Sequence, residues 1–468
     1  MNRTKIICTA GPSVASQSKI ENLVKSGMSI LRLNCSHGDN KTREEQIARV
    51  RKAEKKLGKP IGIMIDLQGP KLRVGDIPKP LMLHSGETWK LGPHLEPSEK
   101  HKTIPIGFKK LGLAVSVGGR IYMDDGLIRT QVLKKTVDEV WVKIINGGQL
   151  ESRKGLNIPY YKGDLPVLSK KDKDDLKWAL SQNVDFIALS FVRSANDINM
   201  LKKLIDKNID EHTPLVIAKI EKPEAVENLQ EIVKVSDGVL VARGDLGIEL
   251  SLPRVPVVQK QIIEVCRKEQ KPVIVATQML DSMRYHPIPT RAEVSDVASA
   301  IYAGADAVML TGETSAGKFP IEATKMLNQI AHEVEAHMIQ KTFRKMPKDF
   351  GLASYRDAFI FNVMQMADDI QAKAIVMLTR RGRLTKVLSK LHPKQPVYSL
   401  AANHYYYRRL TLYWGVYPIE TNHKLAGKRI KEGVAKLRKK SIVKKGDRLI
   451  FVFWDYQSDN LNMKIVEC

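Results

Sequence analysis

Six stretches of this sequence end in residues that could do chemistry together. They end in Arg32-Leu33-Asn34-Cys35-Ser36, in Asp66, in Lys219-Ile220-Glu221, in Arg243-Gly244-Asp245, in Thr277-Gln278 and in Glu313. Each follows a short, apolar, β-branched run, so each predicts the end of a buried strand. Side chains in a strand alternate faces, which puts Arg32, Asn34 and Ser36 on one face and Lys219 and Glu221 on another. Singly, each has a plain explanation: Lys-x-Glu as a surface ion pair, Arg-Gly-Asp as a turn, Asp66 as a helix cap. Together they bring cations and carboxylates to the same end of five strands, which unrelated surface pairs would not do. Glu221 and Asp245, on adjacent strands, can hold Mg2+ (or Mn2+), which takes a few protein oxygens plus substrate. Lys219 and Arg32 supply the positive charge that phosphoryl transfer requires. Gly244 lets the backbone approach a ligand, and Thr277 offers a hydroxyl that can relay a proton.

Those strands need a frame. Apolar runs recur at 5–11, 29–36, 61–68, 185–191, 214–221, 238–245, 272–279 and 305–313, and most gaps carry helix-like segments. Continuous apolar runs suit strands buried on both faces of a parallel sheet. Eight strand–helix units predict a (β/α)8 barrel, a fold whose chemistry sits at the C-terminal ends of its strands. The stretch 71–165 breaks this rhythm. It is rich in Gly and Pro with short alternating strands, and it predicts a small all-β domain inserted after strand 3. A new strand–helix pattern begins after about residue 345. The expected organisation is therefore a barrel over 1–70 and 166–344, the insert over 71–165, and a C-terminal α/β domain over 345–468. The run Gly312 to Lys318 has P-loop spacing, but Phe319 stands where a hydroxyl would have to bind Mg2+, which argues against a P-loop.

Composition narrows the classes further. The chain has 468 residues, 43% of them hydrophobic, and a net charge of +25. A strongly basic chain attracts anions: nucleic acid, anionic lipid or phosphorylated metabolites. Residues 341–468 hold 26 Lys and Arg against 10 Asp and Glu, so the last quarter is the most basic part. Four cysteines without a CxxC pair form neither a disulfide framework nor a zinc ribbon, and fit free thiols in a reducing compartment. No apolar run reaches the roughly 18 residues of a membrane span, and the first residues lack the apolar core of a signal peptide. The expected location is the cytoplasm.

At these residues the chain resembles the pyruvate kinase family. The resemblance runs through TKIICTAGPS (4–13), LRLNCSHGD (31–39), IDLQGPKLRVG (65–75), DDGLI (124–128), KGLNIP (154–159), IAKIEKPEA (217–225), VARGDLGIEL (241–250), ATQMLDSM (276–283), PTRAE (289–293) and GETSAGKFP (312–320). It covers nearly the whole length, and it implies the barrel, the lid and the C-terminal domain. It also implies transfer of a phosphoryl group from phosphoenolpyruvate to ADP, giving pyruvate and ATP. On the matching positions, Lys219 would neutralise the phosphoryl group, Glu221 and Asp245 would ligate Mg2+, and Arg32 would bind the phosphate. Thr277, Gly244 and Asp245 would complete the substrate site. Asn34, Ser36, His37, Arg73 and Lys171 match nucleotide-contacting positions. A homotetramer is implied as well.

Two departures stand out. The family's monovalent-cation site matches Asn34, Ser36, Asp66 and the carbonyl of Leu67. Members that use K+ read DTKGPEIR nearby, whereas this chain reads DLQGPKLR, with Lys71 in place of Glu. An ammonium can supply the charge that K+ brings and repels a second cation, so no K+ requirement is expected. The family often binds a sugar phosphate on a hydroxyl-rich loop of the C-terminal domain. Here that loop reads Thr379-Arg380-Arg381-Gly382-Arg383-Leu384, which keeps charge but loses hydroxyls. A sugar-phosphate effector and an unregulated enzyme both stay open. Two rivals remain: a Mg2+-enolate barrel lyase or mutase that needs no ADP, and a basic binding protein using residues 341–468. The insert with Arg73 and Lys171 argues against the first. The absence of RNA-binding motifs argues against nucleic acid as the partner.

Overall fold

The computed structural model describes residues 2–161, 166–208, 213–340, 354–379, 382–401, 403–421, 426–455 and 460–468. Eight parallel strands close into a barrel: β1 (Lys5–Thr9), β2 (Met28–Asn34), β3 (Gly62–Asp66), β4 (Phe186–Leu189), β5 (Leu215–Ile220), β6 (Gly238–Ala242), β7 (Val273–Ala276) and β8 (Ala307–Leu310). Each pairs with its neighbours in chain order, and β8 closes on β1. The α/β barrel expected from the apolar runs is thus present.

The two-residue period of the strands sorts the barrel into layers. Ile7, Ile30, Met64, Phe186, Ile217, Leu240, Ile274 and Ala307 point inward and pack as one apolar plug. Residues one position away, such as Ile6, Ile63, Val216 and Val239, pack outward against the helices. Two positions further along, the inward side chains change character. Ala188, Ala242 and Ala276 are small. They leave room for the long side chains of Arg32 and Lys219, which are 8% and 9% exposed.

Between β3 and β4 the chain builds a six-stranded sheet from segments spanning Thr88 to Asn157, with its own core around Trp89, Ile104, Met123 and Val142. After the barrel, five strands form a second α/β unit: β9 (Ala374–Thr379), β10 (Val397–Ala401), β11 (Val416–Glu420), β12 (Arg448–Asp455) and β13 (Asn460–Glu467). Their order is β11-β10-β9-β12-β13, and only β13 runs antiparallel to its neighbour. The stretch that forms β13, NLNMKIVE, lies at an edge and is too polar to announce itself as a strand.

This unit seals the N-terminal end of the barrel. Leu412 enters the apolar plug beside Ile30 and Phe186. Gly62 is required there, because a Cβ would stand 2.8 Å from both Phe186 and the Thr411 hydroxyl. Arg408 donates to both carboxylate oxygens of Glu54, at 2.9 and 3.0 Å from Nε. Lys390 pairs with buried Asp306. At the opposite end, where the strands finish, the inserted sheet and the barrel border a common cleft.

Candidate active site

Lys219 is the centre of the polar layer. Its Nζ donates to the Ser190 hydroxyl at 2.7 Å and faces Glu221 Oε1 at 2.9 Å and Asp66 Oδ1 at 3.2 Å. Burial works against its charge, but the Asp66 and Glu221 carboxylates outweigh it and hold the ammonium above the ordinary lysine range. Arg32 donates from Nε to Asp66 Oδ2 at 2.8 Å and from Nη1 to Thr9 Oγ1 at 3.0 Å. Asp66 is 1% exposed. Burial would raise its carboxyl, yet Lys219 and Arg32 together hold it below the usual range. One buried carboxylate therefore fixes two cations from separate strands side by side. Nothing in the local sequence marks Ser190. It lies just past β4 and also donates to the Leu67 carbonyl at 2.7 Å.

The region after β6 and β7 corrects the strand-end picture. β6 stops at Ala242, and Arg243–Glu249 is a helix, so Gly244 and Asp245 stand on its first turn. Thr277 follows β7 with φ of 69°, and Gln278 has φ of 52°. A β-branched residue in the left-handed region is strained and must be held there. The Thr277 hydroxyl accepts from the Gly244 amide at 2.7 Å and donates to the Ala276 carbonyl at 2.6 Å. Arg243 clamps the same turn, donating to the carbonyls of Ala276, Thr277 and Gln278 at 3.3, 2.8 and 3.3 Å. Its Nη1 is anchored on both Asp296 oxygens at 2.7 and 2.5 Å. Glu313 does not join the ring. It is the second residue of the short helix Gly312–Ser315, is fully buried, and accepts the backbone amides of Leu280 and Thr311 at 3.1 and 2.8 Å.

Asn34 Oδ1 accepts the Ser36 amide at 3.0 Å, which shapes the turn leaving β2. His37 and Asn34 line a cleft of about 720 Å³ with Thr9, Arg32 and Thr277. Lys171 reaches the same turn from its helix: its Nζ donates to the Cys35 carbonyl at 2.7 Å and pairs with Asp175. Arg73 lies at the root of the lid, where Nη1 donates to the Arg153 carbonyl at 3.0 Å. Leu67 is fully buried, with its amide donating to Ala188. Lys71 turns toward the lid, 3.9 Å from Asp125. In the C-terminal loop, Gly382 (φ 76°) donates its amide to the Thr379 hydroxyl at 2.6 Å, and Arg383 opens a helix. Arg380 and Arg381 lie outside the described residues.

Lys71 and Asp125 also border a larger cleft of about 1160 Å³, lined on the barrel side by Arg243, Gly244, Asp245 and Gln278. Thr277 borders the smaller cleft, and Gly244 reaches its hydroxyl from the larger one. Glu221 is 1% exposed, and its Oε2 accepts the Phe191 amide at 2.8 Å. Burial, opposed by Lys219 and reinforced by Asp245, pushes its carboxyl up. A divalent cation between Glu221 and Asp245 would relieve that repulsion. Among the described residues no cluster of three His, Cys, Asp or Glu forms a complete metal cage. Two carboxylates and an open cleft suit an ion that keeps places for water and substrate oxygens, as Mg2+ does.

Residues 1–324 match the family model "Pyruvate kinase, barrel domain", and residues 357–464 match "Pyruvate kinase, alpha/beta domain". A pyruvate kinase of Geobacillus stearothermophilus is 40% identical over 426 residues, covering 90% of this chain and 72% of that protein. The chloroplastic pyruvate kinase isozyme G of Nicotiana tabacum is 38% identical over 453 residues, covering 96% of this chain and 80% of its own. The crystal structure of a pyruvate kinase from Cryptosporidium parvum superposes with a TM-score of 0.92 at 33% identity, covering 100% of this chain and 96% of that one.

Proposed function

The chain belongs to the pyruvate kinase family, and from that premise we propose that it moves the phosphoryl group of phosphoenolpyruvate to ADP, with Mg2+ held by Glu221 and Asp245 and with no need for K+. The observation that carries this reading is the buried cluster of Lys219, Arg32, Asp66 and Glu221, which holds two cations side by side in a water-poor site. Family members are phosphotransferases that depend on a divalent metal.

In this reading Arg32 binds the phosphate of phosphoenolpyruvate, and Lys219 meets the phosphoryl group as it leaves the enol oxygen. A β-phosphate oxygen of ADP forms the new P–O bond while the bond to the enol oxygen breaks. The electron pair stays on that oxygen as an enolate, and its CH2 carbon then takes a proton to give pyruvate. Lys219 is fit for this role because its neighbours keep it charged, so its positive charge is in place before the transition state forms. Bound Mg2+ would add positive charge at the phosphoryl and enolate oxygens. In this reading the Thr277 hydroxyl, which the Gly244 amide holds, would relay that proton through water. Asn34, Ser36, His37, Arg73 and Lys171 would hold the nucleotide.

The K+ reading rests on Lys71, with Asn34, Ser36, Asp66 and Leu67 as the region that would otherwise hold the ion. Whether Thr379, Gly382 and Arg383 take a sugar phosphate is a question for calorimetric titration. A cytoplasmic homotetramer completes the proposal; no helix of the described residues is long and apolar enough to cross a membrane.

The test is pyruvate formation from phosphoenolpyruvate with and without ADP, in K+ and in tetramethylammonium buffers of equal ionic strength. ADP should be required, and the two buffers should give similar rates. Lys219→Met should lose at least about 10²–10³ in kcat, the scale for removing a charge aimed at a transition state. A Lys219→Met enzyme at wild-type rate would overturn the assignment, and strong activation by K+ would overturn the role given to Lys71.

A further inference from the structure

The lid meets the barrel at a buried ion pair of the barrel that the phosphotransfer reading does not use. Lys222 follows Glu221 directly and caps the start of the helix Pro223–Glu227. Glu249 closes the helix Arg243–Glu249, whose first turn carries Asp245. The two meet at 2.5 Å, with side chains 13% and 0% exposed. Between them comes the strand that returns from the lid: Asn157 Nδ2 donates to Glu249 Oε1 at 3.0 Å, and Lys222 Nζ donates to the Ile158 carbonyl at 3.4 Å. Asn157 belongs to the lid sheet, paired with Tyr122. One carboxylate oxygen thus accepts both from the lid and from the residue next to Glu221.

Three features mark this junction as more than a packing contact. A salt bridge so buried is weak ground for stability, because desolvation consumes most of the attraction. The junction is also loosely satisfied: Glu249 Oε2, Asn157 Oδ1 and Glu224 Oε2 are buried without a hydrogen-bond partner. A small cavity of about 30 Å³ adjoins it, lined by Asn157, Lys222, Glu224, Phe191 and Arg193 among others. Phe191 is the residue whose amide holds Glu221. Close packing elsewhere at the lid contact is tight by contrast: a Cβ on Gly126 would stand 3.3 Å from Ile248, in the same helix as Asp245. A junction with slack and spare acceptors can rearrange without unfolding either body.

We propose that Lys222 and Glu249 are positioning residues of the reaction: their ion pair, gripped by Asn157, couples the angle of the lid to the placement of the two carboxylates Glu221 and Asp245. The inference rests on reading those carboxylates as the divalent-metal ligands. When the lid swings, its return strand pulls on both segments at once, so the metal-binding geometry is completed only at one lid angle. Neither residue touches the reacting atoms; each acts through its neighbour on the chain or on the helix.

The test pairs Lys222→Met/Glu249→Gln, which removes both charges and strands neither, with Lys222→Arg, which keeps the pair. Three readouts apply: Mn2+ affinity without substrate by electron paramagnetic resonance, amide hydrogen exchange across 156–161, and steady-state kinetics. The double variant should unfold within about 3 °C of wild type. It should bind Mn2+ at least about 10-fold more weakly, with a comparable fall in kcat, the scale seen when supports of metal ligands are removed. The KM for phosphoenolpyruvate should change little, and exchange in the return strand should quicken. Lys222→Arg should restore most of the Mn2+ affinity. A folded double variant with wild-type Mn2+ affinity and unchanged exchange would overturn the coupling. A wild-type protein without phosphotransfer activity would overturn the functional reading alone, since Mn2+ affinity and exchange would still report on the junction.

Discussion

At the scale of single residues, the site works by making each side chain's best partner another member of the site. Asp66 binds Arg32 and Lys219 through different oxygens, so the loss of either cation would leave a buried carboxylate with only one of its two charge partners. Arg243 acts on the strained turn of Thr277 in a similar way. It spends its guanidinium on three consecutive carbonyls, and Asp296 keeps it in place. Arg243→Met should let Thr277 relax out of the left-handed region and move its hydroxyl off the Gly244 amide. A loss of about 10²-fold in kcat is expected, since small misplacements near reacting atoms cost that much. A crystal structure of the variant together with its kinetics would check this; unchanged kcat with the turn intact would show that the clamp is dispensable. The Arg243 role was not legible in its own neighbourhood, where Arg-Gly-Asp reads as a turn. Its partners lie 33 to 53 residues away.

At the scale of elements, strand period explains why the site could be read at all. Ile30, Arg32 and Asn34 occupy alternate positions on β2, and so do Ile217 and Lys219 on β5, with Glu221 next in line. The plug and the polar layer therefore alternate along each strand with a period visible in the sequence. The lower end of the barrel has no such signature, because the element that seals it comes from another part of the chain. The single turn Leu410–Leu412 delivers Leu412 into the plug, and the preceding helix delivers Arg408 to Glu54. Arg408→Met would leave the Glu54 carboxylate buried with only Arg51 and the Ile61 amide, and should cost about 3 kcal/mol. Chemical denaturation would read this as a lower midpoint, and adding Glu54→Gln should recover part of it.

At the scale of the whole molecule, the basic residues of the C-terminal unit have two destinations. Some are turned inward at the junction of the two large units and neutralised there: Arg408 on Glu54 and Lys390 on Asp306. Others stay outside, such as Lys428, Lys431, Arg438 and Lys439 of one helix. The first strand reports on the junction. Lys5 Nζ donates to the Val416 carbonyl at 2.6 Å and lies over the Tyr417 ring. Burial, with Arg3 adding to it and Glu335 and Asp306 opposing, pulls its ammonium down to about 7. Between that value and the ordinary lysine value, the unfolded chain holds a proton that the folded chain has released. Stability from this group therefore rises with pH through that window, by at most about 1.4 kcal/mol per pH unit. Unfolding measured from pH 7.5 to about 9.5, below the range where tyrosines ionise, should show this rise in the wild type and a flatter curve in Lys5→Met. Parallel curves would mean that Lys5 stays charged against Tyr417.

The sequence alone determined whatever repeats along one strand or lies within one motif. The eight apolar runs imply the barrel, and the alternation at their ends implies which polar residues share its mouth. Motifs of five to eleven residues carried the family resemblance. It could not determine what depends on two distant segments meeting: Ser190 beside Lys219, Asp296 behind Arg243, Asn157 between Lys222 and Glu249, and Leu412 beneath the plug. Local spacing constrains a side chain's direction, because backbone geometry is local. A hydrogen-bond partner far along the chain is chosen by packing, and only the closed barrel, its lid and its sealing domain bring those partners within reach.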